Sequence, residues 1–590
     1  MKKFASYVRS QLLFYKQNFW VSFLQGESFA LWGLLVVLLN FIMLHGQGFG
    51  SDLAYWRNWI HDLEQGVGNF RGDYPPVYVL WLQVVSWFYH ATQLSLDLEY
   101  ELKQFCLLPV ILAHVSLAHF VWLRLRNRSW HPSLKLVAML LVVANPIFYL
   151  DGPVWGQVDA LPVTICIWAL WYAAKPKTFS VGIGLFMLGL LTKFQMIMFL
   201  PVFGALALRY RKIMWKGLLS AGVVFFLVFL PFILSGSFTK EISQAYMNTL
   251  GQYPYASMNA GNLWLVAAGN MTPQDNPLFS WGPSFLTPSI VGKVLFVIIS
   301  AVIMAVTFFK RLSMGRIMML STLSAFAFFM VLPCMHERYV FSAAAVCIAG
   351  IACQKKPSVG LAIGISAVTF MNISMLMSTR GSALWFWISM GAILCFAAFI
   401  FQTISPSKFE NLCNKVKRIP MPGIVPYVVL LCIYVFDMIS TFNTLAETAY
   451  KLKDGESFVY DLPLVSQRQG YGSTHIGKSV DGNPLTLDGN IYVAGIGVHA
   501  PSQHVYELPE NATRFTAFCG VDDESGNGSL ECIVKLDNRE LWRSGRLEGR
   551  SRALVDVDIR GGRRLYLITD ELGSKNFDHV DWVNPVVYTE

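Results

Sequence analysis

The chain has 590 residues, of which 54% are hydrophobic and 14% charged, with a mean hydropathy of +0.46 and a formal net charge of +9. That balance excludes a soluble globular protein and requires a multi-pass membrane protein with the lipid bilayer as its partner. The positive charge is not a nucleic-acid footprint, because the lysines and arginines fall in short loops between apolar runs, where they set orientation.

Met1 to Gln17 carries Lys2, Lys3, Arg9 and Lys16, and the first apolar run, about Ser28 to Leu44, has no small-residue cleavage site behind it. It reads as a signal anchor with its N-terminus in the cytoplasm. The first long polar stretch follows, Gly50 to Pro76, with four acids: Asp52, Asp62, Glu64 and Asp73. Carboxylates at the mouth of a membrane domain are costly beside lipid, so this stretch reads as an aqueous active-site loop. Asp52 is either a catalytic base or the N-cap of a helix from Leu53 to Leu63, and spacing alone does not separate the two.

Further apolar runs begin near residues 105, 136, 161, 180, 195, 217, 288, 317, 340, 357, 383 and 422. With the first they make about 13 spans. Basic clusters at Arg124/Arg126/Arg128/Lys135, Lys175/Lys177, Arg209/Arg211/Lys212/Lys216, Lys310/Arg311/Arg316, Lys355/Lys356 and Lys408/Lys415/Lys417/Arg418 belong on the cytoplasmic side. Tyr74 to Leu94, opening on two prolines and carrying Gln83 and His90, would put the triple-arginine loop outside if it crossed. It is therefore expected to be an embedded or interfacial helix within one external loop. Four polar patches then converge on the external side: residues 45 to 73, Asp151 to Asp159, about Gly236 to Leu286, and Met335 to Tyr339.

From about Lys451 the apolar runs stop. Short alternating segments such as Arg514 to Phe518, Leu530 to Leu536 and Arg564 to Thr569, separated by Gly/Asn/Asp turns, predict an all-β sandwich of about 135 residues. Domains are thus expected at residues 1–450 and 451–590. Eight of the ten cysteines lie in or beside apolar runs, with no CxxC or His/Cys metal spacing. If the tail is exported, Cys519 and Cys532 are candidates to pair across a hairpin.

An external polar site on a bundle of spans suits a substrate that is itself half lipid, a sugar on a polyprenyl phosphate. Its chemistry needs a carboxylate to take the acceptor's proton, cations to hold the leaving phosphate and aromatic surfaces to pack the sugar. Lys193, His336 and Arg338 are the candidate phosphate clamp. For Arg338 the alternative is a salt bridge with Glu337 or lipid headgroup contact, whereas an unpartnered amine at Lys193 is costly. Trp155, Gln157 and Asp159 are substrate-side candidates, with Trp155 also readable as an interface-belt residue.

Asp52 with Tyr55-Trp56, and Asp73-Tyr74-Pro75-Pro76, resemble the first external loop of GT-C glycosyltransferases, those using dolichyl-phosphate glucose and their prokaryotic relatives. Asn145-Pro146 with Trp155-Gly156-Gln157-Val158-Asp159, Leu191-Thr192-Lys193, Tyr253 to Ser257 with Asn259 and Asn262-Leu263-Trp264, and His336-Glu337-Arg338-Tyr339 resemble the same family in the same order. The resemblance implies inversion at the anomeric carbon, a lipid-phosphate sugar donor and a base at Asp52. It implies substrate contacts at Trp56, Asp73, Tyr74, Trp155, Gln157, Asp159, Tyr255, Asn259 and Glu337. It also implies no cofactor, with a divalent metal left open because related oligosaccharyltransferases use one.

Gly495 to Ala500, Gly520 to Glu524, Leu541 to Gly545 and Asp578 to Trp582 resemble the NPCBM carbohydrate-binding module, a jelly-roll sandwich. The resemblance makes His499, Asp581 and Trp582 sugar-contact candidates, though each reads equally as a core or turn residue.

The expectation is a GT-C-like bundle of about 13 spans followed by an all-β jelly-roll sandwich, placed in the plasma membrane with its C-terminal domain extracytoplasmic. Its acceptor is a glycan, a lipid or a protein. A lipid-linked-sugar transporter would instead gather polar groups at mid-membrane in interrupted helices. A membrane-anchored carbohydrate-binding protein would need one span only.

Overall fold

The computed structural model describes residues 29–45, 50–92, 99–247, 253–278, 286–377, 382–405, 408–409, 450, 452–481, 485–488, 490–523, 525, 528–549, 551–572 and 578–590. The chain divides into two compact units, one helical and one all-β.

The helical unit contains α1 (Ala30–Met43), α2 (Gly50–Asp62), α3 (Pro76–Thr92), α4 (Glu99–Cys106), α5 (Leu108–Leu125) and α6 (Pro132–Val143). There follow α7 (Ala160–Ala173), α8 (Phe179–Thr192), α9 (Leu200–Arg209), α10 (Met214–Leu234) and α11 (Pro288–Phe309). The unit continues with α12 (Met314–Val331), α13 (Phe341–Ile351), α14 (Val359–Met377) and α15 (Ser382–Ile404).

Among the described residues, six helical segments are long and apolar enough to cross a membrane: Leu108–Leu125, Pro132–Trp155, Arg211–Leu234, Pro288–Phe309, Met314–Val331 and Trp385–Ile404. The run expected near residue 422 lies outside the described residues. The run expected near residue 340 forms α13, whose 11 residues are all buried. At about 1.5 Å per residue it is half the length of a bilayer core and fills the interior instead.

Burial separates centre from rim. The α12 span is 83% buried and that of α11 only 17%, with Val294, Val297, Ile298 and Val302 of α11 exposed as an apolar outer stripe. Helix α8 packs against α7 and α10 through glycines: a Cβ on Gly182 would collide with the Ala173 backbone, and one on Gly189 would lie 2.7 Å from Cys166 Sγ. These contacts make α7 and α8 a tight antiparallel hairpin.

Four of the basic clusters, those around Arg124, Lys175, Arg209 and Lys355, with Lys310, gather at one end of the bundle. Arg128 donates to the Ala352 carbonyl at 3.2 Å, Trp130 to that of Lys355 at 3.2 Å, Arg209 to that of Lys310 at 2.7 Å and Tyr210 to that of Ala174 at 2.9 Å. Arg124 and Lys175 lie 3.9 and 4.1 Å over the Trp171 ring.

Within the stretch from Tyr74, Pro76–Thr92 forms α3, which is not among the six long spans. It is tied to the first polar stretch by Gln83 Nε2 donating to Leu63 O (2.8 Å) and Ser86 Oγ to Ile60 O (3.0 Å).

The β unit contains β1 (Glu456–Phe458), β2 (Leu464–Gln469), β3 (His475–Ile476), β4 (Leu485–Leu487), β5 (Asn490–Tyr492), β6 (Gly495–His499) and β7 (Ser502–Glu507). It continues with β8 (Ala512–Val521), β9 (Ser529–Leu536), β10 (Arg539–Glu548), β11 (Arg552–Asp558), β12 (Arg564–Glu571) and β13 (His579–Thr589). One sheet has the order β11-β8-β13-β6-β3 with β1 on β13, the other β10-β9-β12-β7-β2, and β4-β5 is a separate hairpin. The expected alternation is visible in β12, where Leu565, Leu567 and Thr569 face inward. Cys519 and Cys532 are free and fully buried, with the two thiols beside each other. Their strands β8 and β9 belong to opposite sheets, so the two meet across the core and not across a hairpin.

Candidate functional site

Asp159 precedes α7 and Lys193 follows α8, so the hairpin brings both to its open end, opposite the basic end. Lys193 Nζ donates to Asp159 Oδ1 at 2.7 Å, with the two side chains 7% and 4% exposed. Lys193 has an extended backbone (φ −157°, ψ 125°) that ends α8 before the short helix Phe194–Phe199.

Asp159 is reached through an irregular segment. A π turn, Leu150–Trp155, encloses Pro153, and Gly156 leaves it at φ 106°. Such turns re-aim side chains and are common at functional sites. A Cβ on Gly156 would lie 3.2 Å from Leu53 Cδ2, which places α2 directly against this segment.

Asp151, inside the π turn, is fully buried, and neither of its carboxylate oxygens has a hydrogen-bond partner among the described residues. It lies within electrostatic reach of Asp159, Lys193, Arg338 and Glu337. The sequence placed it in a polar patch without a role; its signal was an acid ending an apolar run beside Gly152 and Pro153.

The Met335–Tyr339 turn closes the site. Arg338 Nη1 donates to Glu337 Oε1 at 3.0 Å, and its guanidinium lies 5.5 Å from the Trp155 ring centre. Trp155 is 1% exposed, so it lines this cluster from within and is not a belt residue. Burial first, then the charges of Arg338 and Lys193, hold the His336 imidazole well below the usual histidine range. That shift favours the neutral imidazole at this position of the candidate clamp.

The loop at 253–278 lies on this turn. Met258 bridges to His336, Cys334 N donates to Tyr255 O at 2.9 Å, and the Tyr253 and His336 rings are 5.1 Å apart. Tyr255 thus joins the assembly through its backbone. Asn259 is committed elsewhere: at φ 53° its amide N–H donates to Asn270 Oδ1 (2.8 Å) and its side chain accepts from Asn270 Nδ2 (2.7 Å). These bonds hold the loop in shape around a half-buried Asn259. Lys240 Nζ donates to Gly68 O at 3.1 Å, tying the third patch to the first.

Within the first stretch, α2 already runs from Gly50, so Asp52 lies inside the helix and is not the cap of one starting at Leu53. The Asp52 side chain lies outside the described residues. Trp56 is 3% exposed and packs 6.0 Å from Tyr78, a core position with no face for a sugar. Tyr74 is half-buried between Trp59 (5.2 Å) and Tyr78 (5.4 Å), and Asp73 beside it is half-buried. Gln157 is buried, its N–H donating to Asp151 O at 2.8 Å.

The site therefore joins three carboxylates (Asp151, Asp159, Glu337) with two cations (Lys193, Arg338) and a tryptophan. Among the described residues no group of three or more His, Cys, Asp or Glu side chains is arranged to hold a metal.

In the β unit, Asp581 is fully buried and its Oδ2 accepts from Thr486 N at 2.9 Å, fastening β4 to the sheet. Trp582 is 1% exposed in the core. Both are core residues, the second of the two readings the sequence left open. His499 is buried, with Tyr471 and His579 rings 5.3 and 5.5 Å away. Residues 455–588 match the NPCBM/NEW2 domain.

The C-terminal domain is an NPCBM domain. It is 35% identical over 127 residues to an alpha-1,3-galactosidase B of Akkermansia muciniphila, a match covering 20% of this chain and 16% of that protein. The NPCBM domain also overlays a CBM51 from a Clostridium perfringens GH95 protein, solved with methyl-galactose. That match has 32% identity and covers 22% of this chain and 99% of the other, with a TM-score of 0.22. Over 95% of its length the chain overlays 64% of the arabinosyltransferase EmbB of Mycobacterium smegmatis, at 12% identity and a TM-score of 0.35, a level that does not establish a shared fold.

Proposed function

We propose that the chain is an inverting glycosyltransferase that moves one sugar from a polyprenyl phosphate to an acceptor at the outer face of the membrane. The observation that carries this reading is the meeting of Lys193, Arg338 and Trp155 at one end of an apolar bundle, opposite the end where the basic clusters collect. Positive residues stay in the cytoplasm. The site then faces the other side, with the N-terminus inside and the NPCBM domain outside.

In this reading the acceptor hydroxyl attacks the anomeric carbon from the face opposite the phosphate, and Asp52 takes its proton. The bond from the anomeric carbon to the phosphate oxygen breaks with its electrons on oxygen, leaving polyprenyl phosphate. Lys193 and Arg338 stabilise the charge that develops there. Asp159 and Glu337 hold the two cations in place before the donor arrives, so the phosphate exchanges one anionic partner for another. The NPCBM domain binds glycan, either an acceptor glycan or the glycan of a lipid or protein acceptor.

The test is purified full-length protein offered a panel of polyprenyl-phosphate sugars, with release of polyprenyl phosphate and sugar transfer as readouts. Asp52→Asn should lose at least about a hundredfold in turnover while still binding donor. Full transfer by Asp52→Asn, or no turnover of any donor by the wild type, overturns the reading.

A further inference from the structure

Next to the Lys193 turn the helical unit holds a second set of polar groups that the transfer chemistry does not use. Gln195 Oε1, Glu241 Oε1, Gln244 Oε1 and Tyr246 Oη are buried atoms without hydrogen-bond partners among the described residues. Glu241 is 2% exposed, on the short helix Phe238–Ile242, and Gln244 and Tyr246 follow in the π turn Ser243–Met247. The Tyr246 ring meets that of Phe194, the residue after Lys193, edge to face at 5.5 Å. Gln195 comes next in the chain, and its side chain lies beside Tyr339 of the Met335–Tyr339 turn. Gln244 Nε2 contacts Arg71 O at 3.4 Å, so this wall spans from the first polar stretch to the Lys193 turn.

A buried polar atom left unpaired is costly, so four together call for a partner of matching chemistry. Three of the atoms are acceptors and the fourth, a phenol, both donates and accepts. The neighbouring cation, Lys240, is turned onto the Gly68 carbonyl. Burial pushes the Glu241 carboxyl up to about 8, so it is largely uncharged at neutral pH and offers a cation little. An uncharged ligand rich in hydroxyls, each donating and accepting from a rigid ring, meets these requirements. We infer that Gln195, Glu241, Gln244 and Tyr246 form a sugar-binding wall that grips the hydroxyls of a hexose beside Lys193. This rests on the glycosyltransferase reading and leaves the hexose as that of either the donor or the acceptor.

The test uses the full-length protein in lipid nanodiscs, as wild type and as the near-isosteric Glu241→Gln and Tyr246→Phe, each checked for an unchanged melting temperature. Photoreactive diazirine derivatives of methyl glucoside, galactoside and mannoside are crosslinked, and the labelled peptides are mapped by mass spectrometry. The wall is supported if one hexoside labels residues 194–195 or 238–247 and either substitution lowers that labelling at least about fivefold. Labelling confined to the NPCBM domain, or unchanged in both variants, overturns it. Donor hydrolysis without acceptor separates the sources: a tenfold loss in the variants assigns the donor sugar, while unchanged hydrolysis with a raised acceptor KM assigns the acceptor. Labelling of the wall with no turnover of any donor supports the wall and overturns the transfer reading.

Discussion

The Lys193 ammonium and the Asp159 carboxylate, 34 residues apart in the chain, meet at 2.7 Å with both side chains almost withdrawn from solvent. The pair caps the α7–α8 hairpin and positions the cation that the proposed chemistry turns toward a phosphate. Its burial makes it sensitive to losing one partner.

Lys193→Met alone should lower the unfolding free energy by about 3–5 kcal/mol, because Asp159 is left buried without its cation. Lys193→Met with Asp159→Leu should recover most of that loss. Tryptophan fluorescence during thermal melting of the detergent-solubilised protein compares the two, and equal melting of single and double variants would contradict the pair's role.

Gly156→Ala should destabilise by about 1–2 kcal/mol from its positive φ alone, with a further loss from the 3.2 Å approach to Leu53. Adding Leu53→Ala should relieve the second loss and leave the first. Because α2 carries Asp52, turnover in Gly156→Ala should fall more than stability does, measured as kcat on whichever donor the wild type accepts.

Burial pulls the His504 imidazole of the NPCBM domain down to about 4, with Thr474 Oγ1 2.8 Å from Nε2. Unfolded histidine titrates near about 6.5, so between those values the unfolded state holds more protons than the folded one. Stability is then full above about pH 6.5 and falls as the pH drops toward 4, by up to about 3 kcal/mol from this group. Calorimetry of the full chain at pH 7 and pH 5 should show the NPCBM transition moving down, and His504→Gln should flatten that movement.

Removing residues 451–590 should leave donor hydrolysis by the helical unit within about twofold, since the Lys193–Asp159 and Arg338–Glu337 pairs are both formed within the helical unit. Transfer to a glycan acceptor should weaken through a higher acceptor KM. Abolished hydrolysis in a truncated protein that still binds donor would tie the NPCBM domain to the chemistry.

Local pattern determined the classes of structure. Apolar runs long enough to meet lipid, basic loops between them and period-two alternation after about Lys451 are properties of neighbouring residues, and they dictated a helical unit with segments long and apolar enough to cross a membrane and an all-β tail. The same locality made the polar patches visible. Which groups face each other was decided only by packing: Glu337 holds Arg338, Asp159 holds Lys193, and Asn259 is spent on Asn270. Alternation likewise placed Trp582 on a strand but left open which side of the sheet it faces, and the sandwich turned it inward. Asp151 and Glu241 carried no distinguishing spacing at all, because a carboxylate becomes costly only when the fold around it removes water and supplies no partner.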